Sequence, residues 1–143
     1  MRLLGPDEAD VLRRVTTGVF DHPVVTSLAA EFVADPRHHV AVAIDEGRVV
    51  GMASGVHYIH PDKPAELWIN EVGVAPMHRR RGLARRLLAC LLERGAELGC
   101  AEAWVLTEGD NAPARSLYAS LGGREEPTPA YYTFALDRGP ATD

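Results

Sequence analysis

Hydrophobic positions recur with a period of two in residues 39–59, HVAVAIDEGRVVGMASGVHYI. The two apolar runs flank the turn sequence Asp45-Glu46-Gly47, which predicts a β-hairpin. A third run, ELWINEVGV at 66–74, stops just before Pro76 and predicts another strand. Two shorter apolar runs, EAWVLT at 102–107 and YYTFAL at 131–136, predict the last two strands.

Helical spacing appears in four other segments. Residues 82–98 carry five leucines on one broad face, and residues 111–122 form a helix pattern closed by Gly122 and Gly123. Residues 5–19 predict an amphipathic helix with Pro6 near its start, and a second helix is expected over 22–34. The predicted order of two helices, hairpin, strand, helix, strand, helix and strand is that of an α/β chain of the α+β type, a mixed sheet with helices on its faces.

Composition indicates a single folded domain over residues 1–143. The chain is 46% hydrophobic and 24% charged, which is ordinary for a globular protein. No run approaches the roughly 18 apolar residues of a membrane span, and acidic residues come too early for a secretory signal, so we expect a cytoplasmic protein with no membrane partner. Cys90 and Cys100 are expected to pack as small buried apolar residues. The sequence offers no set of metal ligands, so we expect no metal.

Residues 78–88, HRRRGLARRLL, place five arginines in a chain whose net charge is −5. They follow a predicted strand and open a predicted helix, where free backbone N–H groups and the helix dipole favour a phosphate. The alternative is a solvated basic face at the start of a helix. We expect no nucleic-acid partner, because the rest of the chain is acidic and no aromatic residues are interleaved with the arginines.

Two motifs resemble those of the GNAT N-acetyltransferases. Residues 79–84, RRRGLA, look like the family's R/Q-x-x-G-x-G/A signature, and NAPARSLYASLGGR is similar to its N-x-x-A-x-x-x-Y-x-x-x-G-F segment. Gly123 departs from that pattern, because the family usually has an aromatic residue there. The resemblance implies a mixed, mostly antiparallel sheet of six to seven strands, flanked by about four helices, with two central parallel strands that splay apart.

The same resemblance implies acetyl-coenzyme A as cosubstrate, bound between INEVGV and EAWVLT. The pantetheine arm would pair with the backbone of Val72 and Val74. Arg79 and Arg80 would add charged contacts to the pyrophosphate. Asn111 would contact the pantetheine arm, although an Asn at this position is also a good helix N-cap. The pyrophosphate would accept hydrogen bonds from the backbone N–H groups of Arg81, Gly82, Leu83 and Ala84.

Two side chains are candidates for proton transfer. Tyr118 matches the family tyrosine near the thioester sulfur and is expected to be a general acid, the alternative being a core residue at helical spacing. Glu71 is a carboxylate on a mostly apolar strand, and family members commonly have a base or amine-binding acid there, acting directly or through water. The backbone N–H of Val72 or Val74 is the expected oxyanion donor.

The acceptor is predicted from a narrower resemblance, to the short aminoglycoside 3-N-acetyltransferases of the GNAT class. That group has an acidic residue where Glu71 lies and more acids where Glu108 and Asp110 lie, which would suit a polycationic small-molecule amine. Turn or capping chemistry is the alternative for Asp110. His22, His57 and His60 are further candidates with weaker support.

Two other functions stay open from the sequence. One is acetylation of a different amine, such as a polyamine, an amino acid or a protein N-terminus, and the other is a non-catalytic acyl-coenzyme A-binding module. Antibiotic resistance would be the role of an aminoglycoside N-acetyltransferase. Dimerisation is common in the family, and TPAYYTFALD could supply a strand to a homodimer.

Overall fold

The computed structural model describes residues 1–127 and 130–136. One mixed sheet runs in the order β1-β2-β3-β4-β5, with β4 and β5 parallel and the other neighbours antiparallel. The strands are β1 (Arg2–Leu3), β2 (His38–Asp45), β3 (Arg48–Tyr58), β4 (Glu66–Val74) and β5 (Glu102–Trp104). The α-helices are α1 (Thr26–Ala34), α2 (Leu83–Glu97) and α3 (Ala112–Ser120), with short 3₁₀ helices at Ala9–Arg13 and Pro76–His78. The expected fold class is confirmed.

The first predicted helix is wrong beyond a single 3₁₀ segment. Val15 forms a parallel bridge with Val49 at the start of β3, and the Val49 N–H donates to the Arg14 carbonyl oxygen at 2.7 Å. Backbone groups that bond to the sheet cannot also close helical turns, so tertiary pairing overrides the amphipathic pattern. Helix α1 begins at Thr26 rather than His22, because Pro23 disfavours helical backbone in the residue before it.

The last predicted strand is also wrong, since residues 130–136 contain no strand and the described sheet has five strands rather than six or seven. A strand needs a neighbour to complete its hydrogen bonds, and none of the described residues pairs with this segment. Its apolar side chains are exposed: Tyr131, Tyr132, Phe134 and Leu136. The dimer segment TPAYYTFALD includes positions 128, 129 and 137, which lie outside the described residues.

A bulge in β4 opens the sheet. Ser54 pairs with Glu71 and Gly55 pairs with Ile69, so Asn70 is an extra residue on β4. Strand β5 pairs with β4 only as far as Trp68, immediately before the bulge. Because a bulge bends its strand and interrupts the ladder, β4 leaves β5 at this point. The expected splay of two parallel strands is therefore present between residues 69–74 and the chain that follows Trp104.

Each sheet face is covered by different elements. On one face, α2 buries Leu87, Leu88 and Leu91 completely. On the other face lie α1 and the first 3₁₀ helix, which contribute Ala29, Val33 and Leu12 to the core. Both cysteines are free and partly buried, and burial raises the pKa of each thiol, so they are expected to be unreactive. No helix of the described residues is long and apolar enough to cross a membrane.

His39 makes the stability of this sheet sensitive to acid. Its Nε2 lies 2.7 Å from Nδ1 of His57, and burial lowers the pKa of His39 to about 4. Its stabilising contribution is complete above the unfolded pKa of 6.5 and is lost as the pH falls toward 4. We expect urea unfolding to show that the wild-type chain loses about 1–2 kcal/mol more than His39→Gln between pH 7 and pH 5. His38→Gln is the control and should lose as much stability as the wild-type chain. An equal loss in the wild-type chain and in His39→Gln would contradict the prediction.

Candidate active site

The loop between β4 and α2 exposes a row of backbone N–H groups. Arg80 and Gly82 both have left-handed backbone, with φ of 64° and 74°. Such alternation turns successive N–H groups toward one side and forms an anion-binding concavity. The first N–H of α2 that donates to a carbonyl oxygen one turn back is that of Arg86, bound to Gly82 at 3.2 Å. The N–H groups of residues 81–84 are therefore available to an anion, as the sequence predicts.

Gly82 leaves the space beside this loop open. A Cβ added at Gly82 would meet no atom of the chain within 4 Å. An arginine-rich loop, free N–H groups and unobstructed backbone together fit the pyrophosphate of coenzyme A. Arg79, Arg80 and Arg81 form no ion pair with any described carboxylate, so their charge is not neutralised within this part of the chain.

Two contacts fix the start of this loop. His78 Nε2 lies 3.0 Å from Oδ2 of Asp45 at the end of β2. Arg79 Nε donates to the Val74 carbonyl oxygen at 3.1 Å. Both contacts attach the segment that follows Pro76 to the sheet, one to the end of β2 and one to the end of β4, so the Arg79 side chain lies beside the last residue of β4.

Val72 and Val74 direct their backbone groups into that gap. The Ala75 N–H donates to Val50 of β3 at 2.8 Å, so by the two-residue period Gly73 also faces β3. Val72 and Val74 then face the opposite edge, and the Arg79 contact to Val74 is consistent with this direction. Since β5 ends its pairing at Trp68, this edge has the donors and acceptors that an extended ligand needs.

Helix α3 carries Tyr118 and has Asn111 as its N-cap. Asn111 caps the helix, because its Oδ1 accepts a hydrogen bond from the Ala114 N–H at 3.2 Å, so the capping interpretation is confirmed and contact with a cofactor stays a prediction. Tyr118 is half-buried against the core, and burial raises the pKa of its phenol, which keeps the proton on the hydroxyl at neutral pH. Arg85 of α2 donates to the Ser120 carbonyl oxygen at 3.2 Å and so joins α3 to the helix behind the phosphate loop.

The structure explains why position 123 is a glycine. Its N–H donates to the Tyr118 carbonyl oxygen at 2.9 Å, and an added Cβ would lie 2.8 Å from the same oxygen. A side chain at this position would collide with the backbone of α3. Glycine at this position therefore lets the chain pack closely against the C-terminal end of α3.

Glu71 lies in a row of cross-strand neighbours, Val40, Ser54 and Glu71, on the face of the sheet that carries α1. Although Glu71 is exposed, partial desolvation raises the pKa of its carboxyl group, and the negative charge of Asp21 raises this pKa further. His22 acts in the opposite direction. A carboxylate with a raised pKa is suited to accept a proton.

A cavity of about 370 Å³ opens beside Glu71. Its polar lining consists of Asp21, His22, Ser54 and Glu71, and the rest of its wall is apolar. A larger cavity of about 710 Å³ shares the wall formed by residues 20–24 but includes neither Ser54 nor Glu71. We therefore take the smaller cavity as the candidate acceptor site, since only it reaches the carboxylate suited to proton transfer.

The structure does not bring Glu108 and Asp110 into this cavity. Both are exposed in the loop after β5, where the Glu108 and Asp110 carbonyl oxygens accept backbone hydrogen bonds from Asn111 and Ala112, each at 3.0 Å. These bonds support the turn interpretation of Asp110. Binding of a substrate by either acid stays a prediction.

Of the three candidate histidines, one lies in the cavity beside Glu71 and two lie elsewhere. His57 is bonded to His39, and His60 Nε2 lies 2.7 Å from Oε2 of Glu66, so both are engaged in structural contacts. Only His22 lines the cavity of Glu71. Among the described residues, no group of three or more His, Cys, Asp or Glu side chains is arranged to hold a metal ion.

Sequence reasoning missed Asp21 and Ser54. Asp21 reaches the cavity because residues 19–23 cross β4 closely: a Cβ at Gly73 would lie 2.0 Å from the Val19 carbonyl oxygen. Ser54 is only 6% exposed and faces the cavity through its pairing with Glu71. The one signal in the sequence was the polar pair Asp21-His22 before Pro23, between two apolar segments.

An open row of backbone N–H groups and two splayed parallel strands are features of an α/β fold that are suited to a phosphorylated, extended ligand. A family model described as "Acetyltransferase (GNAT) family" matches residues 9–122. The chain therefore belongs to the GNAT acetyltransferase family, and the resemblance of its two motifs is confirmed.

Curated relatives include enzymes with different acceptors. The chain is 33% identical over 128 residues to the mycothiol acetyltransferase of Thermobifida fusca, covering 83% of this chain and 38% of that protein. It is 34% identical over 92 residues to the N-alpha-acetyltransferase RimI of Mycobacterium tuberculosis, covering 63% of this chain and 54% of that protein. The chain thus spans between about a third and about half of the length of these relatives.

Solved structures share the fold. An aminoglycoside acetyltransferase, HMB0005, from an uncultured soil metagenomic sample matches with a TM-score of 0.75 and 24% identity, covering 94% of this chain and 97% of that chain. AAC(6')-Iy in complex with the bisubstrate analog CoA-S-monomethyl-acetylneamine matches with a TM-score of 0.77 and 19% identity, covering 94% and 97%. At these identities the likeness establishes the fold alone.

Proposed function

We propose that this protein is an acetyl-coenzyme A-dependent N-acetyltransferase for a small molecule with a primary amine. The observation that carries the proposal is the position of the N–H row at residues 81–84, at the end of the same gap that receives the backbone groups of Val72 and Val74. One extended ligand with a pyrophosphate can engage both. The complex of AAC(6')-Iy with a coenzyme A bisubstrate analog supports coenzyme A as that ligand.

The side chains supply proton transfer. Acetyl-coenzyme A, when bound, supplies an activated acetyl thioester. Glu71 accepts the proton that the attacking amine must lose, directly or through water, and its raised pKa makes it a better acceptor than an ordinary carboxylate. Tyr118 keeps a proton on its hydroxyl at neutral pH that it can donate to the leaving sulfur. Preservation of both groups favours an enzyme over a non-catalytic binding module.

The acceptor has two sources of support. Fold neighbours include aminoglycoside acetyltransferases, which supports an aminoglycoside and hence a role in resistance. Sequence relatives named mycothiol acetyltransferase and N-alpha-acetyltransferase RimI support other acceptors. The experiment that tests the general proposal is an acetyl-transfer assay with acetyl-coenzyme A and a panel of both kinds of amine, in which coenzyme A release must depend on the amine.

Glu71→Gln tests the base. We expect kcat/KM to fall at least roughly tenfold, chiefly through kcat, because glutamine keeps the shape but cannot accept the proton. The wild-type rate should decline on the acid side through an apparent pKa above 4.5, since protonated Glu71 is inactive, and this decline should be absent in the variant. Glu108→Gln is the comparison, and its expected effect is on KM for a polycationic acceptor only. Identical pH profiles for wild type and Glu71→Gln would contradict the assignment.

A further inference from the structure

We propose, building on the function above, that the preferred acceptor is a small monoamine with a compact apolar substituent and not a polycation. The inference comes from the cavity beside Glu71, whose polar groups are confined to Asp21, His22, Ser54 and Glu71. The remainder of its wall is made of apolar side chains, among them Phe20 and Phe32.

The polar part of the cavity is suited to a single amino group. Ser54 and Glu71 are direct cross-strand neighbours on the cavity floor, and Asp21 adds a second carboxylate. Both carboxylates line the same cavity, so an amino group placed there meets negative charge from two sides. One ammonium group therefore meets complementary charge there and can lose its proton to Glu71.

The apolar part continues to the surface. Val25 and Leu28 of the α1 segment both line the cavity, although they are 51% and 60% exposed. Val25 is the N-cap of α1 and Leu28 lies in its first turn. Large apolar side chains exposed at the mouth of an apolar cavity would be covered by an apolar part of a ligand, which gains free energy by leaving water.

A polycation fits this cavity poorly. The volume of about 370 Å³ is at the lower end of the range for ligand sites. Additional ammonium or hydroxyl groups placed against Phe20 or Phe32 would find no hydrogen-bond partner in that part of the wall, and each such group that loses its water costs about 1–3 kcal/mol. Glu108 and Asp110, the acids expected to receive extra charge, are not in the lining.

The test compares kcat/KM for 2-phenylethylamine and 3-methylbutylamine with that for spermidine, for neamine and for a tripeptide that begins with phenylalanine. We expect both apolar monoamines to exceed the other three by at least roughly tenfold, about 1.4 kcal/mol. A polycation or the peptide turned over as well as the monoamines would overturn the inference and leave the acetyltransferase proposal intact.

Leu28→Gln tests the cavity itself. It removes an exposed apolar side chain at the mouth, replaces it with a good helix former and should leave the fold intact. We expect KM for 2-phenylethylamine to rise roughly fivefold to tenfold while KM for spermidine stays unchanged. Ile59→Gln, which removes an equally apolar side chain 78% exposed outside the cavity, should change neither.

Binding measurements separate the two proposals if no amine is acetylated. Absence of turnover for the whole panel would overturn the acetyltransferase proposal. Calorimetric titration of 2-phenylethylamine into wild type and Leu28→Gln then decides the cavity assignment by itself. Weaker binding to the variant supports an apolar amine site, and no binding to the wild-type chain overturns it.

Discussion

Gly82→Val is expected to weaken acetyl-coenzyme A binding by roughly 100-fold or more. The substitution places a branched side chain beside the free N–H groups of residues 81–84, in space that is now open. It also forces valine into left-handed backbone, which costs about 1–2 kcal/mol and disfavours the loop geometry that directs the N–H groups. Calorimetric titration with acetyl-coenzyme A measures the effect.

Gly99→Val is the matched control. Gly99 lies just beyond the other end of α2, has a φ of 81° and would also carry a Cβ with no neighbour within 4 Å. It therefore suffers similar backbone strain without touching the phosphate loop. Both variants should lose similar thermal stability, and only Gly82→Val should lose cofactor affinity. Equal affinities in the two variants would refute the phosphate-binding assignment.

Tyr118→Phe is expected to lower kcat by roughly 10-fold to 1000-fold with little change in the affinity for acetyl-coenzyme A. The ring and its packing against the core stay, and only the hydroxyl group with its transferable proton is lost. Because burial raises the pKa of this phenol, no other ionisation of Tyr118 contributes near neutral pH. Steady-state rates and cofactor titrations on the same preparation separate the two quantities.

Tyr58→Phe provides the comparison for Tyr118. The Tyr58 hydroxyl is also partly buried, but it accepts a hydrogen bond from Trp104 Nε1 at 2.7 Å, a structural contact between β3 and β5. Its loss should lower the unfolding free energy by about 1 kcal/mol and leave kcat nearly unchanged. If Tyr118→Phe turned over at the wild-type rate, Tyr118 would be a packing residue only.

Local sequence patterns correctly predicted the elements whose hydrogen bonds and buried faces depend on residues close together in the chain. The hairpin around Asp45-Glu46-Gly47 and the leucine face of α2 are confirmed, because strand alternation and helical period each report a single buried face. The free N–H groups of residues 81–84 also followed from local features, since a helix N-terminus offers N–H groups whatever the rest of the fold does.

Long-range pairing is where these patterns failed. Residues 14–16 left their helical pattern to bond with Val49, and residues 131–136 alternate like a strand but find no partner among the described residues. The acids at Glu108 and Asp110 were assigned to the acceptor by resemblance, whereas the cavity beside Glu71 contains Asp21 instead. None of these outcomes can be predicted from a single segment of the chain.

The sequence by itself determined the family and singled out the free N–H groups of residues 81–84 and the candidates Glu71 and Tyr118, because those depend on residue types at fixed spacing. Only the tertiary structure decided what surrounds Glu71. The bulge at Asn70 separates β4 from β5, and the close approach of Val19 to Gly73 brings Asp21 over the sheet. The character of the acceptor cavity depends on which segments pack together, since desolvation and charge act through space and not along the chain.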